Sequence, residues 1–482
     1  MKISEHFNLE RTQHELDFVD IDTTRDTRLF VDPYFLATRI DSFSVQASLT
    51  LRSFFAQFVY LVRENRHTDA KALFFHLNEP NETCLGMSTG VPAGRGIGDD
   101  DAHRIYESLI QSRAIETGIV EHLEDCRLFV DGIDKDKTSD MTTNIIRRHL
   151  IEYTQAQCTL WEIPLQPDVP SGFFWRRDTR DWDNVLTRML VINESPVLLV
   201  PKAITSYVKK YTAARYRQHY VLNFLQHKHL RLNSALVQRI ERKDGTERLY
   251  VTKKSIVEHE GGLPKHRLAE FTRNHPDVFR EFKQKEATGY DSLKNRDIDE
   301  EDLSEICDHL LHQLDNTQPG SASATAYHRL VVAILELVFY PRLMAPTIEQ
   351  EIHDGRKRID LVFDNAATTG FFHSLHDISQ IPSQYIFVEC KNYSRDVANP
   401  ELDQICGRFS PNRGRFGIVA CREIDNMEMF LARCSDTYSD DRGLVVPLVD
   451  ADMRSLIEEV RIHSGTPGER LLNERKRAVA LR

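Results

Sequence analysis

The chain has eight cysteines among 482 residues, and no two of them form a C-x-x-C unit or keep a regular spacing. That excludes a zinc knuckle and a disulfide framework. Cys390 and Cys421 stand inside apolar runs and read as small buried hydrophobes, which suits a reducing cytoplasm. No apolar stretch approaches the length that spans a bilayer. The opening Met1-Lys-Ile-Ser-Glu-His-Phe7 lacks the apolar centre of a signal peptide. Glycine clusters in Gly90-Val-Pro-Ala-Gly-Arg-Gly-Ile-Gly98, without the Gly-Lys-Ser/Thr ending of a P-loop, so a surface loop is expected there. Asp131-Gly-Ile-Asp-Lys-Asp-Lys-Thr-Ser-Asp140 lacks the glycine and final glutamate of a calcium loop, and reads as a turn into a helix at 141–148. No internal repeat is present. The formal net charge of −11 excludes a chain-wide positive coat for nucleic acid.

Positive charge is concentrated instead. Residues 202–285 hold 19 Lys and Arg against 8 Asp and Glu. Lys209, Lys210, Arg215, Arg217, Lys253 and Lys254 are interleaved with Tyr207, Tyr211, Tyr216 and Tyr220, a pattern that suits phosphate contact with base stacking. The same composition also fits a helical domain whose cations pair with acidic neighbours. Gln226-His-Lys-His-Leu-Arg231 lies in this stretch. An acidic run at 297–302 follows, and Gly320-Ser-Ala-Ser-Ala-Thr325 reads as a flexible link. Nearer the start, Phe54-Phe-Ala-Gln-Phe-Val-Tyr-Leu-Val62 has helical periodicity, while Cys126-Arg-Leu-Phe-Val130 and Val197-Leu-Leu-Val200 read as strands. The division expected is a mixed N-terminal domain at 1–200, a basic, mainly helical region at 201–295, an acidic segment and linker at 296–325, and a C-terminal domain at 326–482. The fold class is α/β and multidomain, the last domain having a mixed central sheet flanked by helices.

The strongest chemical signal lies in that last domain. Arg358-Ile-Asp-Leu-Val-Phe363 and Tyr385-Ile-Phe-Val-Glu-Cys-Lys391 read as buried strands. Side chains alternate faces along a strand, so Glu389 and Lys391 share one face, and Arg358 and Asp360 share one face of theirs. Charges among core-like residues are costly unless compensated. Two carboxylates facing one hard cation, beside an ammonium, supply that compensation.

At these residues the chain resembles the PD-(D/E)xK, or restriction-endonuclease-like, superfamily. Asp360 matches the first acid and Glu389-Cys390-Lys391 the E-x-K unit. Glu336, in the helix around Leu330-Val-Val-Ala-Ile-Leu-Glu-Leu-Val-Phe339, matches an additional acid. A following helix at 401–408 carries Gln404 and Arg408, and Phe416-Gly-Ile-Val-Ala-Cys421 is the next strand. Ile359 stands where the motif's name has proline. The connection 364–384 exceeds a tight hairpin and carries Phe371, Phe372, His373 and His376, which implies an insertion beside the site or a shifted strand.

The resemblance implies that Asp360, Glu389 and the backbone carbonyl of Cys390 bind Mg²⁺ or Mn²⁺, and that Lys391 orients or deprotonates a water. Glu336 is the candidate to complete the outer shell or hold a second metal, and Gln404 to contact a phosphate or orient a water. Two carboxylates without a cation repel, so neutralising one is expected to raise the stability of the metal-free protein. The implied activity is a Mg-dependent endonuclease, with DNA favoured over RNA and no membrane partner, resembling prokaryotic restriction and anti-phage effectors. A homo-oligomer and association with other defence-system subunits are compatible with that architecture. Structural alternatives stand beside each residue. Glu389 and Lys391 also fit a same-face ion pair, Asp360 a bond to a backbone amide, Glu336 a helix-face pair with Arg329, and Gln404 a solvated position. The alternative functions are an inactive nucleic-acid-binding scaffold, or a hydrolase of RNA or another phosphodiester.

Overall fold

The computed structural model describes residues 1–86, 99–111, 123–207, 211–241, 247–288, 293, 295–298, 302–352, 357–393, 397, 399–462 and 465–482. Lys209, Lys210 and the glycine-rich run 90–98 lie outside them. Among the described residues two hydrophobic cores organise the chain, and their boundary does not follow the divisions expected from composition.

The first core gathers around α1, Ser42–Arg63. The Asp41 side chain accepts from the Ser44 amide at 2.9 Å and so caps the helix start. Leu51, Phe54, Phe55, Phe58 and Leu61 recur at helical spacing and are buried. Their cluster continues into α2, Arg147–Leu160, and then into the basic region, through Tyr211, Tyr216, Leu225 and Phe282. The described residues of the basic region therefore share that core. It contains α3 (Leu222–Arg231), a hairpin of β1 (Gln238–Glu241) and β2 (Glu247–Tyr250), and α4 (Lys253–His259).

Three local readings differ from the structure. Cys126–Val130 is not a strand: Leu123–Phe129 is helical, and a short apolar run does not distinguish the two by period. Within 131–140, Asp134 caps a helix at Lys135–Ile145, earlier than the turn reading placed it. The segment Val197–Val200 is a strand only at its start, Ser195–Val197.

The second core is built on α5 (Ala324–Phe339) and a five-stranded mixed sheet of β3 (Leu343–Ile352), β4 (Lys357–Asn365), β5 (Tyr385–Lys391), β6 (Phe416–Cys421) and β7 (Leu444–Val449), in that spatial order. The pairs β3–β4 and β4–β5 are antiparallel, and β5–β6 and β6–β7 are parallel. Parallel strands need crossovers, supplied by α6 (Asn399–Cys406) and by the helix Met427–Ser439. Gly417 lets α6 lie close on β6, since a Cβ there would come to 2.5 Å from Ile405 Cδ1 and push that side chain aside. The long 364–384 connection carries the helix Gly370–Asp377, and Phe371, Phe372 and Leu375 bury it in this core.

Ser321–Phe339 is long and apolar enough to cross a membrane by length and composition, contrary to the expectation that no stretch reaches that length. It is mostly buried inside the protein, as a core helix is. The expected flexible link at 320–325 is tied down as well: the Gly320 amide donates to the Asn392 carbonyl at 2.7 Å.

The two cores meet at the first turn of α1, where the amides of Ser42 and Phe43 donate to Asp364 Oδ2 at 2.8 and 3.3 Å. A carboxylate suits a helix N-terminus. Burial, with the nearby Asp41 charge adding, nonetheless pushes the Asp364 carboxyl up to about 7. Its folded value is above the unfolded one of about 3.9. Its stabilising contribution is therefore present below about pH 4 and is lost as pH rises through about 7. Asp364→Asn keeps an acceptor for the amides. Its stability relative to wild type should climb from pH 4 to 7 and level off above, as read by urea denaturation. Parallel pH profiles would contradict this.

Candidate active site

Register brings the acids together. Leu361 pairs with Val388 across β4 and β5, so one step further along, Asp360 comes beside Glu389 on the same face. The Cys390 amide donates to Asp360 Oδ2 at 3.3 Å, the local bond anticipated as an alternative role for Asp360. Lys391 Nζ stands 4.0 Å from Asp360 Oδ2 and 2.6 Å from Glu389 Oε1, the latter an ionic contact without hydrogen-bond geometry. The ammonium also donates to Gln404 Oε1 at 3.2 Å. Glu389 is fully buried and Lys391 nearly so, whereas the Asp360 side chain is 21% exposed. Gln404 on α6 is exposed, so the cluster opens to solvent at Asp360 and Gln404.

Arg408, expected to hold nucleic acid, is buried and bonds Glu389 Oε2. Burial pushes its guanidinium below the ordinary arginine value, opposed by the Asp360 charge. Glu389 is thus held between two cations, not left facing a second carboxylate alone. Neutralising it strands Lys391 and Arg408, which reverses the expected gain in metal-free stability. Cys390 is no nucleophile, since burial and the Asp360 charge push its thiol well above the usual value. Asp360, Glu389 and the Cys390 carbonyl form an all-oxygen donor set, which fits a hard cation. Such a cation has to compete with Arg408 for Glu389.

Glu336 does not join this cluster. Asn392, next to Lys391, bonds Gly320 just ahead of α5. Glu336 lies 12 residues into that helix, about 18 Å along its axis. There its Oε2 is 3.6 Å from Lys202 Nζ, both side chains fully buried. Lys202 also lies 3.9 Å from the Tyr340 ring centroid, and Tyr153 donates to the adjoining Asp17 at 2.6 Å. Burial pushes the Glu336 carboxyl well up, with Asp17 adding, and pushes Lys202 down. The helix-face pair with Arg329 is not formed either, because Arg329 bonds Glu162 and the Leu160 carbonyl. Lys202 was missed as a partner. Its signal was a lone lysine between Val-Leu-Leu-Val-Pro and Ala-Ile.

In the basic region the stacking platform is not formed as expected. Tyr211 and Tyr216 are buried against Phe282, and Tyr216 also packs on Phe279. Arg215 Nε donates to both oxygens of buried Glu286 at 2.9 Å, and Tyr220 donates to the same carboxylate. Lys253 donates to the Gln218 carbonyl at 2.6 Å. Arg217 is half-buried, and Lys254, 86% exposed, lies 4.0 Å from Glu258. For Arg215 the ion-paired alternative holds.

Residues 8–212 match a family model described as a domain of unknown function, DUF8370. No curated protein and no solved structure matches the chain. The matched stretch supplies α1, α2, Asp17 and Lys202, and the Asp360 cluster lies outside it.

Three variants separate these roles. Lys202→Met should cost about 3–5 kcal/mol in urea denaturation by stranding buried carboxyls. Glu336→Gln should leave Mg²⁺ affinity unchanged by calorimetry, and loss of that affinity would return Glu336 to the site. Arg215→Gln should cost about 1–2 kcal/mol of stability with no change in the salt dependence of nucleic-acid binding. A flattened salt slope at unchanged stability would restore Arg215 to a phosphate contact.

Proposed function

We propose that the chain is a metal-dependent nuclease that hydrolyses phosphodiester bonds, DNA favoured over RNA, in prokaryotic restriction or anti-phage defence. The observation that carries this reading is the convergence of Asp360, Glu389 and Lys391 at one end of β4 and β5. The mixed sheet with E-x-K closing its third strand also agrees with a restriction-endonuclease-like core. Asp360, Glu389 and the Cys390 carbonyl would hold the Mg²⁺. When bound, the cation supplies Lewis-acid polarisation of a phosphate oxygen and a water of lowered pKa.

The chain's own groups supply the rest. Lys391, steadied by Gln404, places an ammonium where it orients the attacking water and offsets charge developing on the phosphate. Glu389, fully buried, keeps Lys391 in place. Arg408 balances Glu389 in the metal-free protein, and its planar fork suits a phosphate once released. That same hold on Glu389 favours a second reading, a nucleic-acid-binding scaffold without catalysis.

Purified protein incubated with labelled duplex DNA, single-stranded DNA and RNA, in Mg²⁺, Mn²⁺ or EDTA, decides between the two. Cleavage is expected in the metal lanes only. Lys391→Ala should lower its rate roughly 10²–10⁴-fold while leaving the fold intact. An absence of cleavage in every lane, with no Mg²⁺ binding by calorimetry, would leave the scaffold.

A further inference from the structure

The basic region holds a second constellation that nucleic-acid contact does not explain. His229 lies in the last turn of α3 and His259 in the last turn of α4, with Glu260 next in the chain. One ligand atom from each of the three lies within 4.8 Å of the others. The two imidazoles meet edge to face, ring centroids 5.8 Å apart. His229 Nδ1 is 2.9 Å from Ser234 Oγ, which leaves Nε2 as the nitrogen free to ligate. Metal-bound histidines are commonly fixed through the other ring nitrogen in this way. The last turn of a helix also carries partial negative charge, which favours a cation.

We propose that His229, His259 and Glu260 form a zinc site, separate from the Asp360 cluster, that clamps the base of the β1–β2 hairpin. Two imidazoles and one carboxylate suit Zn²⁺, whereas Mg²⁺ and Ca²⁺ take oxygen ligands. Tetrahedral ligands at zinc bond lengths lie ~3.4 Å apart. His259 and Glu260, 57% and 37% exposed, have room to close the remaining distance. Water completes the fourth position.

The hairpin shows what such a clamp does. Among the described residues β1 and β2 pair with each other and with no other strand, and nearly all their residues are exposed, Ile240 and Leu249 among them. A lone two-stranded hairpin is marginally stable in water. It is bounded by α3 and α4, so a metal joining their ends fixes both of its roots. Gln226 already donates to the Val251 carbonyl at 2.6 Å on the same side.

The test uses the full-length protein, stripped with EDTA, dialysed and titrated with Zn²⁺ by calorimetry in excess Mg²⁺. Wild type should bind one more zinc equivalent than the His229→Ala/His259→Ala double variant, whose affinity falls roughly 100-fold or more. Binding at the Asp360 cluster is common to both proteins and cancels. Ser234→Ala, which removes no ligand, should weaken zinc roughly 10-fold. Hydrogen exchange in β1 and β2 should slow on zinc addition in wild type alone. Equal zinc stoichiometry in wild type and double variant overturns the site, as does a wild type that binds no zinc. Should the double variant not fold, unaltered zinc affinity in both Ser234→Ala and Glu260→Gln overturns it.

Discussion

A carboxylate with no access to water must meet its countercharge at contact distance, and Glu389 is where that constraint acts most strongly. It stands fully buried on β5, an otherwise apolar strand. Lys391 meets one of its oxygens and Arg408 the other. Removing one member of a buried group costs far more than the group contributes as a whole, so all three are fixed together. Arg408 follows α6, and the bond to Glu389 therefore anchors the crossover that delivers the chain to β6. The geometry of the sheet and that of the candidate site rest on the same three charges.

The same requirement ties the N-terminal stretch to the C-terminal sheet region. Lys202 and Asp17 belong to the stretch that matches the family model, whereas Glu336 belongs to α5 beneath the sheet. Asp364 of β4 takes the first amides of α1 a short way off. Each contact places a charged group of one half in the interior of the other. The N-terminal half is accordingly part of the environment of α5 and β4, and a rearrangement there disturbs the elements that carry Asp360.

Strands whose burial is two-sided were legible from the chain alone. Tyr385–Lys391 and Phe416–Cys421 occupy the residues that their apolar, β-branched runs marked out. That Glu389 and Lys391 share a face was legible for the same reason, because alternation fixes it within a strand. The grouping of Asp360 with them came from the resemblance, since neither strand alone contains the register that pairs them. Helices were read less well. An apolar run as short as Cys126–Val130 has no period long enough to separate helix from strand. Tyr211 and Tyr216 looked like a stacking surface because nothing local announces Phe279 and Phe282. Partners such as Glu389 with Arg408, or Glu336 with Lys202, are set by tertiary packing, and no window of sequence contains that information.

Moving Glu336 to the Lys202 cluster narrows the proposed chemistry. A site with a third acid on α5 would have donors enough to hold two cations. Without it, the donors near Lys391 are Asp360, Glu389 and one carbonyl, a set suited to a single cation that keeps several waters. Of Asp360 and Glu389, only Asp360 has exposed surface, and exposed Gln404 is bonded to Lys391. Under the proposed reading, a phosphate approaching from solvent would meet Gln404 and Asp360 before Lys391. On the same reading, a cation could take up Glu389 only if Arg408 released it. The cation would then replace the guanidinium as the countercharge of Glu389, and Arg408 would need a new partner such as a phosphate, so that neither buried charge is left unbalanced.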